Sequence, residues 1–396
     1  MREKNSGPVP TAEGSGLSFV SEKSPRTRLT GLKAGLPQQR EFALPGTAAI
    51  PAVHADRLRA SEATGELAVE LADKGLTPDQ LLTNESIENA LRVLLAIGGS
   101  TNAVIHLTAI AGRLGKKVSL ETLNRLSDTT PMLVNLKPSG THYMEHFFAA
   151  GGMGAVLREL KPLLHLDCLN ISGQTMGDRL EEEEGYVDYE VIRPLNEPIE
   201  PYGGLVSLFG SLAPQGAILK RSAADSSLFE KKSRAFVFHS LEDLSSRIDN
   251  PELEVKSDDF LILQNAGPRS GTGMPESGYL PIPSKQSKIG VKDMVRISDA
   301  RMSGTAFGTI ILHVTPEASV GGPLGLVRTG DIIELSVKNR RLDLNVQKNE
   351  LKKRREEMKY KPKLKGENTD CGYAWLYQKH VLQADEGCDF DFLKAR

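Results

Sequence analysis

The chain has 396 residues, 39% hydrophobic and 25% charged, enough apolar material for two ordinary cores rather than one. Its formal net charge of -2, with the signs interspersed, provides no field to gather nucleic acid or an anionic membrane, so a small molecule is the expected partner. No apolar run approaches the roughly 20 residues that span a bilayer, and the N-terminus has no apolar signal core, so a cytoplasmic protein is expected.

Residues 1 to 41 carry Gly, Pro, Ser, Thr, Lys and Arg with almost no apolar period, which predicts a disordered leader. Its basic surplus raises a mitochondrial alternative, against which Glu3, Glu13 and Glu22 speak. From Leu44 packed helices are expected. HADRLRASEATGELAVELADKG places Leu67, Val69 and Leu71 on a helix that Gly75 closes. A new helix then starts at Thr77, with Pro78 in its first position and Gln80 completing a capping box, and Ile87, Leu91, Leu94 and Leu95 form its apolar stripe.

IGGSTNAVIHLTAIAGRL sets two glycines and three small polar residues before an apolar helix. The glycines would let backbone approach a ligand, and the open N–H groups of the helix start would receive an anion, making Ser100, Thr101 and Asn102 candidate substrate contacts. The plain alternative is an ordinary N-cap, for which Ser, Thr and Asn are preferred anyway. His142, Glu145 and His146 spell HYMEH, the arrangement of one class of zinc peptidases, beside the alternative of a helix edge near a Gly-rich turn.

Between Asp178 and Gly204 the chain turns acidic and proline-rich, which predicts a boundary between a first unit, residues 42 to 185, and a second, residues 186 to 396. The second unit holds the short β-rich runs AFVFHS, FLILQ, MVRIS, TIILHV and DIIELSV, and a charged helix around 348 to 358. A compact mixed sheet or barrel-like domain fits that pattern. Within it Glu276 lies in the loop GPRSGTGMPE, where a carboxylate could serve magnesium; a solvated loop acid is the commoner fate. Ser303 follows MVRIS in DARMSGT, with Gly304 allowing the turn that exposes its hydroxyl; a serine becomes a base only beside a cation. Cys168, Cys371 and Cys388 are widely spaced with no CxxC pair, so three reduced thiols are expected and a self-contained four-cysteine site is excluded.

The passages LPGTAAIPAVHADR, LAIGGSTNAVIHL, VIRPLNEPI, GGLVSLFGSLAPQGAILK, GPRSGTGMPE, SDARMSGTAFGT and TPEASVGGPL stand in one order. From about Leu44 to Leu393 the chain resembles the later part of the dihydroxy-acid and phosphogluconate dehydratase family. The wording of SDARMSGTAFGT and of the ending VLQADEGCDFDFL is closer to the sugar-acid branch, the arabinonate and xylonate dehydratases, than to the branched-chain dihydroxy-acid enzymes. The resemblance implies an α/β fold: the mainly helical remainder of an α/β/α N-terminal domain, followed by a β-rich, barrel-like C-terminal domain.

By the same resemblance the reaction is removal of water from a 2,3-dihydroxy acid to give a 2-keto acid. Ser303 matches the base, Glu276 a magnesium ligand and Thr305 a nearby hydroxyl; Asp299 and Arg301 would shape the loop, and Ser100, Thr101 and Asn102 would line the pocket. An iron–sulfur cluster, 2Fe–2S or 4Fe–4S, and Mg2+ are the implied cofactors. A homo-oligomer, or association with an intact paralogue, is the implied assembly. The region that carries the family's cluster cysteines has no counterpart in residues 1 to 41, and Cys168, Cys371 and Cys388 fall outside the cluster motifs. The chain is therefore expected to be incomplete and inactive alone, or else a non-catalytic binding subunit.

Overall fold

A computed structural model describes residues 43–182, 185–276, 280–303, 306–358 and 370–395. The predicted leader and Thr305 lie outside the described residues, as does Gly304. The first half is helical. The helix Asp56–Lys74 ends where Gly75 takes φ 65° and returns its N–H to Ala72 and Leu71, the left-handed stop expected of glycine. No residue of this helix is buried, which corrects the expectation of tight packing. Leu67 and Leu71 share a face and are half-buried, whereas Val69, displaced by two positions, points outward and is 65% exposed.

The next stretch also departs from expectation. Thr77 and Gln80 form the predicted capping box, but the helix they start covers only Pro78–Leu81. Thr83 then caps a second helix, Asn84–Ala96, its Oγ1 accepting from Ser86 N at 3.1 Å. A second cap within six residues offered the backbone a new start, and Ile87, Leu91, Leu94 and Leu95 still fall on the buried face. Asn102–Gly112 and Leu120–Thr129 pack with Asn84–Ala96 in one apolar cluster, and Met144–Ala149 and Gly152–Leu160 build a second beside it. The proline-rich stretch after Asp188 runs back across this second cluster. Arg193 N donates to Leu133 O at 2.8 Å, Ile199 N to Met132 O at 2.9 Å, and Val191 and Ile192 are buried in it.

The second half is an eight-stranded sheet. Its strands are β1 (Val206–Leu208), β2 (Gly216–Leu219), β3 (Glu230–Phe238), β4 (Phe260–Leu263), β5 (Arg296–Ser298), β6 (Ile310–Thr315), β7 (Ile332–Ser336) and β8 (Arg341–Leu344). Their spatial order is β1-β2-β6-β5-β4-β3-β7-β8. The four neighbours β3, β4, β5 and β6 are parallel, and the remaining pairs are antiparallel. The two edges meet: Phe209 N donates to Arg340 O at 2.9 Å and Leu342 N to Phe209 O at 2.8 Å, so the sheet is nearly closed into a barrel, as expected from the β-rich runs.

Alternation along the strands splits the core in two. Val237, Ile262, Ile297 and Ile311 share one cluster with β7 and β8, while Phe236, Phe238, Leu261 and Leu263 form the other against Leu244 and Met294. Lys348–Met358 is the predicted charged helix, and Arg354 docks it by donating to the carboxylates of Asp331 and Glu350. No helix among the described residues is long and apolar enough to cross a membrane.

Candidate active site

The loops that leave the carboxyl ends of the parallel strands β4, β5 and β6 gather at one end of the barrel, the usual place for a ligand in such sheets. The first carries Glu276, the second Ser303. A bridge between Glu276 and Arg301 joins them, so Ser303 follows two residues, at most ~7 Å of chain, beyond the contact. Arg301 Nε also donates to Met274 O at 3.1 Å. Arg301 thus joins the two loops.

The helical half meets this end of the barrel through Asn102. Its Nδ2 donates to Glu276 Oε1 at 3.1 Å. Asn102 is fully buried, and its Oδ1 has no hydrogen-bond partner among the described residues. A buried amide oxygen left unbonded is costly, of the order of 1–3 kcal/mol, unless a ligand or ion occupies the place. Glu276 is exposed and Ser303 half-buried, its carbonyl accepting from Ala306 N at 2.9 Å.

Ser100 and Thr101 are buried, and Ser100 Oγ accepts from Asn102 N at 3.3 Å, while Thr101, at the N-cap position, makes no side-chain cap bond. Of the three small polar residues, Asn102 is the one whose side chain the structure brings to Glu276. The two glycines before them serve packing between protein segments. A Cβ on Gly99 would lie 2.3 Å from Leu94 Cδ1, and a Cβ on Gly204 2.6 Å from Gly98 Cα.

Two buried carboxylates tie the three loops together; Asp299 was expected to shape its loop, whereas Glu317 stood out as no more than part of TPEASVGGPL. Asp299 accepts from Ala266 N at 3.0 Å and Ala318 N at 2.9 Å. Glu317 takes Arg269 N on both oxygens, at 2.9 and 3.0 Å, and Gln383 Nε2 at 2.7 Å. Burial pushes Asp299 up to about 6 and Glu317 up to about 7, the Asp299 charge adding to the rise in Glu317 against the hydrogen bonds that oppose it.

The backbone here is strained: Asn265, Met274, His313 and Cys388 hold φ of 58°, 53°, 59° and 51°. Non-glycine residues rarely adopt such values, and they concentrate where structure is arranged for function. His313 lies where the β2–β6 register slips, between the pairs Ile218↔Leu312 and Gly216↔Thr315. Both its ring nitrogens are buried and unbonded among the described residues, and burial drives its pKa down to about 3, with the Arg301 charge contributing.

The thiols occupy three separate settings. Cys168 is buried beside Asn89 Nδ2, Cys371 is exposed at the start of the helix Gly372–His380, and Cys388 Sγ lies 3.4 Å from Met274 Sδ with its pKa pushed up to about 12 by burial. Among the described residues there is no group of three His, Cys, Asp or Glu side chains able to hold a metal. The zinc-peptidase pattern dissolves for a local reason. His142 precedes the helix Met144–Ala149, and although its ring centroid lies 5.4 Å from that of His146, His146 Nδ1 accepts from Tyr143 N at 3.1 Å and no third ligand side chain joins the pair among the described residues.

Comparison with known proteins returns the same two halves. The model of the dihydroxy-acid/6-phosphogluconate dehydratase N-terminal region matches residues 41–179, and that of the C-terminal region matches residues 190–388. The L-arabinonate dehydratase of Rhizobium leguminosarum bv. trifolii is 46% identical over 356 residues, and the L-arabonate dehydratase of Azospirillum brasilense 48% identical over 356. The 6-deoxy-6-sulfo-D-gluconate dehydratase of Pseudomonas putida is 46% identical over 357 residues. Each match covers 89% of this chain and 61% of the relative, so the chain spans about three fifths of the length of these curated relatives.

Proposed function

Because the chain belongs to the dihydroxy-acid/6-phosphogluconate dehydratase family, on its sugar-acid side, we propose that its site binds a 2,3-dihydroxy acid of the aldonate kind for a hydro-lyase reaction. In that reaction the C2 proton and the C3 hydroxide leave as water, and the resulting enol takes a proton at C3 to become the 2-keto-3-deoxy acid. The identities favour a sugar acid over a branched dihydroxy acid: 46% and 48% to the arabinonate enzymes, 40% to the dihydroxy-acid dehydratase of Caldicellulosiruptor saccharolyticus.

The observation that carries the reading is the meeting of Asn102 with Glu276, where Asn102 Nδ2 holds the carboxylate and the buried Asn102 Oδ1 has no partner among the described residues. Magnesium binds through one or two carboxylate-type oxygens and keeps the rest of its shell for water and substrate, which fits this pair. When bound, it supplies the positive charge that steadies the acid's carboxylate and C2 oxygen. Glu276 and Asn102 then orient the acid, and Ser303, two residues from the Glu276–Arg301 bridge, takes the C2 proton on Oγ. Thr305 offers a second hydroxyl in the same sequence motif.

The iron–sulfur cluster finds no matching set here, since Cys168, Cys371 and Cys388 sit in three unrelated surroundings. We therefore read this chain as an acid-binding part of a reaction centre that does not turn over by itself. The exposed aromatic surface of Tyr373, Trp375 and Phe392 supports self-association as a homo-oligomer. The deciding experiment is calorimetric titration of the chain with L-arabinonate, with and without magnesium. Magnesium-dependent binding that Glu276→Ala abolishes is expected; no binding under either condition would overturn the reading.

A further inference from the structure

We infer that Glu317 and Gln383 are a pair of positioning residues that set the turn 383–388, and through it bring Glu276 to Asn102. The inference rests on the function proposed above. Neither residue reaches Glu276 itself; the argument lies in what the turn touches.

Glu317 and Gln383 bind each other reciprocally. Gln383 Nε2 donates to Glu317 Oε1 at 2.7 Å, and Glu317 N donates to Gln383 Oε1 at 3.0 Å. The same carboxylate grips the base of the Glu276 loop through Arg269 N, and the fit is close, since a Cβ on Gly267 would stand 2.3 Å from Glu317 Oε2. Arg269 Nε adds a bond to Val381 O at 2.9 Å. The loop base and the C-terminal segment are thus joined at three points around one buried acid.

From Gln383 the turn closes on itself, Cys388 N donating to Gln383 O at 3.1 Å. Its far end meets both partners of the site. Cys388 Sγ lies against Met274 Sδ, two residues before Glu276. Gly387 lies on the helix Asn102–Gly112, where a Cβ would fall 2.5 Å from Ala109 N. Arg113, the residue that ends that helix, clasps the adjoining Asp389 with two bonds of 2.7 and 2.9 Å. One rigid turn therefore spaces the loop tip from the helix that carries Asn102, and the Glu317–Gln383 pair fixes where that turn begins.

The test is a swap. Gln383→Glu places two carboxylates where an amide donated to one at 2.7 Å, and adding Glu317→Gln restores one amide facing one carboxylate. In the full chain, Gln383→Glu is expected to speed hydrogen exchange across residues 267–276 and to weaken magnesium-dependent L-arabinonate binding about tenfold. The double variant is expected to recover both. Unchanged exchange in Gln383→Glu, or a double variant that recovers neither, overturns the inference. Should the wild-type chain bind no arabinonate, the proposed function falls, while exchange and its recovery still decide the role of the pair.

Discussion

Asn102 and Glu276, 174 positions apart in sequence, meet at 3.1 Å where a helix of the first half faces a loop of the barrel. The bond is charge-assisted, and one of its partners is fully buried while the other is exposed. Such a pairing gives the exposed carboxylate one fixed position without removing it from solvent.

Asn102→Ala removes the donor and the unbonded Oδ1 together. Magnesium-dependent arabinonate affinity is expected to fall about tenfold, with stability lowered by about 1–2 kcal/mol. Calorimetry and urea unfolding read the two effects separately. Undiminished affinity would make the contact purely structural.

His313→Leu replaces a buried ring with no hydrogen-bond partner among the described residues by an apolar side chain. Removing unsatisfied polar atoms is expected to raise stability by about 1 kcal/mol, seen as a higher melting temperature. A lower melting temperature would mean that the imidazole is bonded in solution.

The pH dependence follows from three buried groups, Asp299, Glu317 and His313, and from the half-buried Asp385. Asp299 and Asp385 are raised to about 6 and Glu317 to about 7, so the folded state holds their protons after the unfolded state has released them near 4. Their contribution is complete below that and is lost as pH rises to about 7. His313, lowered to about 3 from 6.5, works the other way and gains stability up to pH 6.5. Three acids outweigh one histidine between pH 5 and 6, and Glu317 alone governs the stretch from 6.5 to 7. Urea midpoints should therefore fall from pH 5 to pH 7.5, less steeply in Glu317→Gln and more steeply in His313→Leu. A midpoint that rises over this range would contradict the assignment.

Iron bound after anaerobic expression and cluster reconstitution is expected to stay at background, because the three thiols lie in separate settings and that of Cys388 is held protonated. Arabinonate should then yield no keto acid. Stoichiometric iron per chain would show a ligand set that these settings do not reveal.

Much of the fold was legible because its cues are local. The short β-rich runs AFVFHS, FLILQ, MVRIS, TIILHV and DIIELSV each become a strand, β3 to β7, and Gly75 and the Thr77–Gln80 box stand where their caps were expected. β1, β2 and β8 were not singled out, being three or four residues long and set among glycines, prolines or charges. The burial of the helix Asp56–Lys74 was misjudged, because a spacing pattern states which face is apolar and not whether anything covers it.

The amino-acid sequence by itself determined the family, the strand-and-helix order and the candidacy of Glu276, Ser303 and Asn102, since runs of matching words and turn chemistry are read along the chain. Tertiary structure alone decided which candidates meet. Asn102 reaches Glu276 while Ser100 stays buried and accepts from Asn102 N, and Glu317, an unremarked acid in TPEASVGGPL, becomes the knot of three loops. The reason is physical: a hydrogen bond across 174 residues, or a carboxylate whose burial lifts its pKa to about 7, depends on distances that only packing sets.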